Sequence, residues 1–436
     1  MLRGALAEHP LRYALTNELH ARPFAELDAP GRALHIAIMQ TENAAERDRA
    51  AERAHLEQLI DRYGGTHPSP EANHYSADFG LFRLKWERHT EFVSYTLYKQ
   101  GEAPELFGTE LLRHLPEEWL RGAPGKVIAA SQVEVLRAGS FDEALRLYTD
   151  RLLPLFFGES LASARVLDDN AIACGDFRIH ADGFTRFAVI VHGPIGPRRT
   201  GRIVQRLFEI DTYRTLAMLA LPVARAMTPE LNRVEAELTR VVSELAHDEG
   251  TSPDSELLGR LTGLSAEIEM RASATAFRFA ASAAYEAIVK ERIEMLREER
   301  IVGRQLFSEF MVRRFDPAMR TCHAAKRRLA DLAERASRIT ELLLTRVNVT
   351  VEAQNQRLLT SMDRRAALQL RLQQMVEGFS VVAISYYGVN LLGYLLGPVA
   401  KGVGLTKSGV MAASVVPMVL VAWLAVRRLR RRLARN

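Results

Sequence analysis

The sequence holds 436 residues with a formal net charge of +5, enough for two or three domains and a sizeable core. The last ten residues, RRLRRRLARN, carry six arginines, which leaves the other 426 at about −1 and removes the case for a nucleic-acid binder. Cys174 and Cys322 stand far apart, which excludes a disulfide framework and a thiolate zinc site and fits a reducing compartment.

The opening, MLRGALAEHPLRYALTNELHARPF, has neither an uninterrupted apolar core nor a small-residue cleavage site, so it does not read as a signal peptide. The bulk of the chain is therefore expected in the cytoplasm. Asn17, Glu18, His20 and Arg22 cluster here, and capping and docking explain them better than a His20–Glu18 proton-transfer pair. Residues 1–200 read as a mixed α/β domain. ALHIAIMQ, Ala33–Gln40, is a buried strand. FGLFRLKW and EFVSYTLYK, either side of ERHT, alternate as a hairpin. KVIAASQVEVL, AIACGDFRIH and FTRFAVIVHG add three strands, with helical stretches such as GTELLRHLPEEWL between them. His67 and His74 fall in a loop and have weak metal potential.

HGPIGPRRTGR, His192–Arg202, is punctuated by proline and glycine as a connector between domains. The competing reading is an anion-binding turn with Arg198, Arg199 and Arg202 at a helix N-terminus, without a phosphate-loop pattern to support it. Residues 203–376 are helical in pattern, broken at MTPE, DEGTSPDS and RRFDPAM. From Pro317 no proline or glycine interrupts the chain before Gly378, which predicts a stalk helix over 317–376 about 90 Å long. Its apolar stripe passes from heptad steps at Leu329, Leu332, Ala336, Ile339 and Leu343 to longer steps through Val351, Leu358 and Met362. Cys322 and His323 read as structural.

Two uncharged runs follow, Gly378–Ala400 and Ser408–Val426, each of a length that crosses a bilayer. They predict a transmembrane hairpin over 378–426, with spans at about 378–398 and 408–426 and KGVGLTK as its turn. Arg364, Arg365 and Arg371 precede it and the basic tail, 427–436, follows it. By the positive-inside rule both ends are cytoplasmic, with Arg427, Arg428, Arg430, Arg431 and Arg432 at the membrane surface against lipid. The predicted fold class is an α+β cytoplasmic domain, then a mostly helical domain with a long stalk, then a C-terminal two-helix transmembrane hairpin.

HPLRYALTNELHARPF, SATAFRFAASAAYEAIVKERI and the run from LLLTRVNVTVEAQNQ to VVAISYY resemble an uncharacterised bacterial family of predicted membrane-anchored proteins, domain of unknown function 3422. That resemblance implies an anchor in the bacterial inner (cytoplasmic) membrane and brings no activity. The domain arrangement also resembles the CorA magnesium-channel family. Tyr387, Gly388, Val389 and Asn390 agree with its Tyr-Gly-Met-Asn signature at three of four positions. This second resemblance implies a homo-oligomer that passes Mg2+ or another divalent cation, transported or regulatory, with Gly388 and Asn390 in the outer ring. Two features of the chain depart from it: the apolar run continues beyond Asn390, and the outer loop carries Lys401 and Lys407 but no carboxylate. The competing reading of the segment is helix packing, with Gly393 and Gly397 as a GxxxG pair and Asn390 bonded to a neighbouring helix.

The leading expectation is a CorA-like homo-oligomeric divalent-cation channel or transporter, for which Asp331, Glu334, Glu341 or Glu352 would supply an acidic ring. The alternative is a non-conducting, membrane-tethered scaffold or sensor whose α/β domain binds a cytoplasmic protein or small molecule. No Ser/His/Asp, zinc or nucleotide constellation points to an enzyme.

Overall fold

The computed structural model describes residues 8–18, 24–40, 47–246, 253–402 and 406–433, without the side chains at 14, 17–18, 397–402, 407, 410 and 429–433. The predicted histidine and arginine at positions 20 and 22, and the hairpin turn at 403–405, lie outside the described residues. The chain divides into two units, Met1–Arg338 and Ile339–Asn436.

The first unit is built on a nine-stranded sheet in the order β2-β3-β4-β1-β5-β8-β7-β6-β9. Its strands are β1 (Gly31–Met39), β2 (His74–Asp78), β3 (Arg83–Arg88), β4 (Phe92–Gln100), β5 (Lys126–Arg137), β6 (Ala162–Val166), β7 (Ala171–Ile179), β8 (Thr185–Val191) and β9 (Glu299–Arg300). Neighbours pair antiparallel except β5 and β8, which run parallel. The predicted strands and the β3–β4 hairpin form; β2, β6 and β9 come in addition.

Alternation sorts side chains between the two faces of the sheet. Leu34, Ile36 and Ile38 of β1, Leu84 and Trp86 of β3, and Val93, Tyr95 and Leu97 of β4 share one core cluster. They pack beneath α2 (Arg49–Tyr63) through Leu56, Leu59 and Ile60, and beneath α3 (Glu117–Arg121) through Trp119. α2 starts where Asp48 accepts from the amides of Ala50 and Ala51, and it stops at Gly64 in a left-handed conformation.

The opposite face is covered by α5 (Pro197–Met218) and α7 (Asp254–Leu296). α5 begins inside the predicted connector, so the arginines at 198, 199 and 202 lie on a helix. α5 packs on the sheet and α7 packs on α5, within the first unit, which runs to Arg338. α6 (Ala220–Ala246) continues through Pro229, although MTPE suggested a break. Its buried stripe Ala224, Met227, Leu231, Val234 and Leu238 outweighs the one lost backbone hydrogen bond. Shorter helices are α1 (Arg12–Glu18), α4 (Phe141–Leu147) and α8 (Phe307–Arg314).

α9 (Asp316–Gly402) is a single helix of 87 residues, so the stalk predicted over 317–376 runs without a break into the first apolar run. Its stripe is buried at Leu329, Leu332, Ala336, Ile339 and Leu343, whereas Val351, Leu358 and Met362 are exposed. In the second unit α9 is followed by α10 (Lys407–Leu433). By length and composition both helices are apolar enough to cross a membrane.

Candidate functional site

The sheet face beneath α5 and α7 is unusually polar for a buried surface. β1 supplies His35, β3 supplies Lys85 and Glu87, and β4 supplies Ser94, Thr96 and Tyr98, all by strict alternation with the apolar core on the other side. α5 answers with Gln205, Glu209 and Thr212, and α7 with Glu291 and Arg292. Between them lies a chamber of about 380 Å³, within the size range of small-molecule sites. Its aromatic lining includes Phe24, Phe92, Phe208 and Tyr213.

Most charges in the chamber are compensated. Lys85 Nζ lies 3.0 Å from Glu87 Oε2 and 3.2 Å from Gln205 Oε1. Arg292 pairs with Glu209, which also accepts from Gln205 Nε2 at 2.6 Å. His35 stacks on Phe208, with ring centroids 5.0 Å apart, and its Nδ1 lies 2.8 Å from Thr96 Oγ1. Burial disfavours the charged imidazole most, and His89 and Lys85 add to it against Glu87 and Asp211. The His35 pKa falls to about 4, so the ring is neutral at pH 7. His35 Nε2 and Thr212 Oγ1 are buried without a partner among the described residues.

Two further cavities adjoin the chamber. One, of about 490 Å³, shares Arg206, Glu291 and Met295 with it and adds Arg199, Arg202, Glu294 and Arg297. Arg206 Nη1 donates to Met295 O at 2.8 Å, and the Arg202 guanidinium lies 5.7 Å from the Phe24 ring centre. Burial and then the neighbouring cations Arg202, Arg292 and Arg297 push the Arg206 pKa down. Gly201 makes this approach possible: a Cβ there would sit 1.8 Å from Ala25 O, so only glycine lets the segment carrying Phe24 cross α5. The other cavity, about 440 Å³, shares His89, Phe92 and Tyr213 and adds Arg47, Arg49 and Arg88. Here Glu52 is buried beside both Arg47 (2.6 Å) and Arg88 (3.3 Å).

The sequence model of the family described as Protein of unknown function (DUF3422) matches residues 7–433. The chain belongs to this family. No curated protein and no solved structure matches it, so the CorA resemblance finds no support there.

In this DUF3422 chain the predicted site residues fall in separate places. Arg199 and Arg202 come together in the arginine cavity, whereas Arg198 turns away and pairs with Glu26 at 2.7 Å. The segment YGVN lies within α9, twelve residues before the helix ends at Gly402. Tyr387 is exposed and meets Tyr386 edge to face. Asn390 Nδ2 donates to Tyr386 O of its own helix at 3.1 Å. A Cβ on Gly388 would lie 2.6 Å from Met418 Cε, and one on Gly393 would lie 2.7 Å from Met411 Cγ, so both glycines are occupied by α10. The surroundings of Gly397 and the side chains of Arg430, Arg431 and Arg432 lie outside the described residues. Arg428 is exposed, and the Arg427 guanidinium lies 4.8 Å from the Trp423 ring centre.

His67 Nε2 meets Asp61 Oδ1 at 2.6 Å, and His323 Nε2 meets Glu286 Oε2 at 2.6 Å. Among the described residues no group of three or more His, Cys, Asp and Glu could hold a metal. Both cysteines are buried, and burial pushes each thiol pKa up. The chamber itself is absent from the expectations above. Ser94 and Thr96 alternate with Val93, Tyr95 and Leu97, a pattern that normally marks a strand with one face in water. Only Gln205, Glu209 and Thr212, spaced four and three apart on α5, signal that this face meets a polar helix surface.

Proposed function

We propose that this chain is a membrane-tethered binding protein, in which the first unit takes a small polar molecule into the chamber and the apolar hairpin anchors it. The observation that carries the reading is a cavity lined by His35 and Thr212, whose Nε2 and Oγ1 are among the buried atoms without a partner. A buried polar atom without a partner costs about 1–3 kcal/mol, and a bound molecule or water in the chamber relieves that cost. Neutral His35 and the Thr212 hydroxyl together offer a ligand both a donor and an acceptor.

The tether rests on the apolar stretches of α9 and α10. Their outward residues Phe379, Val382, Leu391, Leu395, Val416 and Leu420 are exposed, which suits lipid. The arginines at both ends of the hairpin favour a cytoplasmic side for the first unit and for the C-terminus. A divalent-cation channel draws less from the same helices. The Asn390 amide is bonded within α9, and the small residues at 388 and 393 serve contact with α10.

A thermal-shift screen of the full chain in a non-ionic detergent, against a panel of polar metabolites, tests the binding role. A compound that raises the Tm of the parent and not of Thr212→Val supports it. A complete panel without a shift, or a shift that Thr212→Val retains, refutes the chamber as the site. Alkaline carbonate washing tests the tether, which fails if the chain leaves the membrane pellet.

A further inference from the structure

Resting on the binding role above, we infer that the ligand carries a phosphate or polyphosphate group, held in the cavity of Arg199, Arg202 and Arg206 while its body occupies the chamber. That cavity has four arginines and two glutamates in its lining, a formal +2. Glu291 lies 3.2 Å from Arg292, and Arg297 is paired with Asp168 at 2.9 Å. Arg199 has no ion-pair partner among the described residues, and Arg202 faces the Phe24 ring instead of a carboxylate. Three guanidinium groups on one side of α5, at positions 199, 202 and 206, thus crowd together with incomplete compensation. Planar guanidinium forks match phosphate oxygens two at a time, and the N-terminal end of a 22-residue helix adds positive potential where Gly196 offers no capping side chain.

Continuity gives the second argument. Arg206, Glu291 and Met295 line both cavities, so a ligand whose phosphate is held by the arginines has its body beside the chamber that His35 and Thr212 line. The opposite cavity is cationic as well, but there Glu52 is buried between Arg47 and Arg88 and offsets them.

The test is calorimetric titration of the detergent-solubilised full chain with pyrophosphate, nucleotides and sugar phosphates, each beside its unphosphorylated counterpart. The expected result is that a phosphorylated compound binds at least about tenfold more tightly than its counterpart. Arg199→Ala and Arg202→Ala should each weaken it by about tenfold, while Arg198→Ala, which removes the Glu26 pair outside the cavity, leaves it unchanged. Arg199 and Arg202 lie at the cavity edge, and circular dichroism of each variant confirms that it has folded. Equal affinity for both forms, no binding by any phosphorylated compound, or loss of binding in Arg49→Ala in place of Arg199→Ala overturns the inference. Binding of an unphosphorylated compound that Thr212→Val abolishes leaves the chamber as a site while the phosphate assignment fails.

Discussion

Replacing His35 by glutamine removes a titrating ring from the chamber while keeping a side chain that can hydrogen-bond Thr96. In the folded chain burial lowers the imidazole pKa from the ordinary 6.5 to about 4. The unfolded chain therefore binds more protons between these values, and acid favours unfolding. The contribution of the neutral ring is intact above pH 6.5, declines as pH falls, and levels off below the folded value near 4. Between pH 7.5 and pH 5 the loss amounts to about 2 kcal/mol. For a unit of this size that corresponds to a fall in Tm of about 4 °C.

The assay is intrinsic fluorescence during heating of the full chain, with buried Trp86 and Trp119 reporting from the other side of the same sheet. Other groups titrate over this range, so the informative quantity is the difference between parent and His35→Gln. The parent should lose about 4 °C more than the variant on acidification. Equal losses would mean that the ring is hydrated and charged in the folded state, and the description of the chamber would be wrong.

Thr212→Val replaces a partnerless buried hydroxyl by a methyl of similar shape, so the unliganded chain should gain about 1 kcal/mol, read as a higher Tm. Glu134, whose carboxyl burial pushes up to about 7 despite an amide bond from Phe107, destabilises the fold as pH rises from 4.5 through 7; Glu134→Gln should therefore raise Tm at pH 8 by the equivalent of up to about 3 kcal/mol and leave it unchanged at pH 4. Asp211→Ala takes the acceptor from the Ser131 hydroxyl and the Arg214 guanidinium and leaves Thr185 only the Ala130 carbonyl at 3.2 Å, at a cost of about 3 kcal/mol in the same melting assay. Gly388→Leu together with Gly393→Leu should push against Met418 and Met411 and loosen α10 from α9, read as a lower Tm of helical circular dichroism in detergent; a Tm at the parent level would refute the packing role of the glycines.

The apolar strands were legible because each carries a run whose period of two or whose length admits no helix. β2 was not, since HYSAD lies at the sheet edge where polar residues face water. β6, ASARV, hides its strand character in small side chains and an arginine, and β9 has only two residues. The arginines at 199 and 202 were legible as anion-binding candidates, but their partners Arg206 and Arg297 were not, because the latter arrives from the far end of α7. The chamber needed the fold itself. A strand reading of EFVSYTLYK assigns Ser94 and Thr96 to solvent, and only the placement of α5 turns that face inward.

That inward face holds two kinds of polar site, and the contrast between them argues for a ligand. Around Asp211 both carboxylate oxygens are answered: Ser131 and Thr185 donate to Oδ2 at 2.7 and 2.6 Å, and Arg214 donates to Oδ1 at 2.7 Å. This network fastens α5 to β5 and β8. A few residues along, His35 and Thr212 line the chamber, and their Nε2 and Oγ1 are buried with no partner among the described residues. If holding the helix to the sheet were the whole purpose of the polar face, the Asp211 arrangement or plain apolar packing would be the more stable solution throughout. A fold that leaves polar groups without a partner beside a cavity has given up stability there. Binding is the physical return that accounts for it.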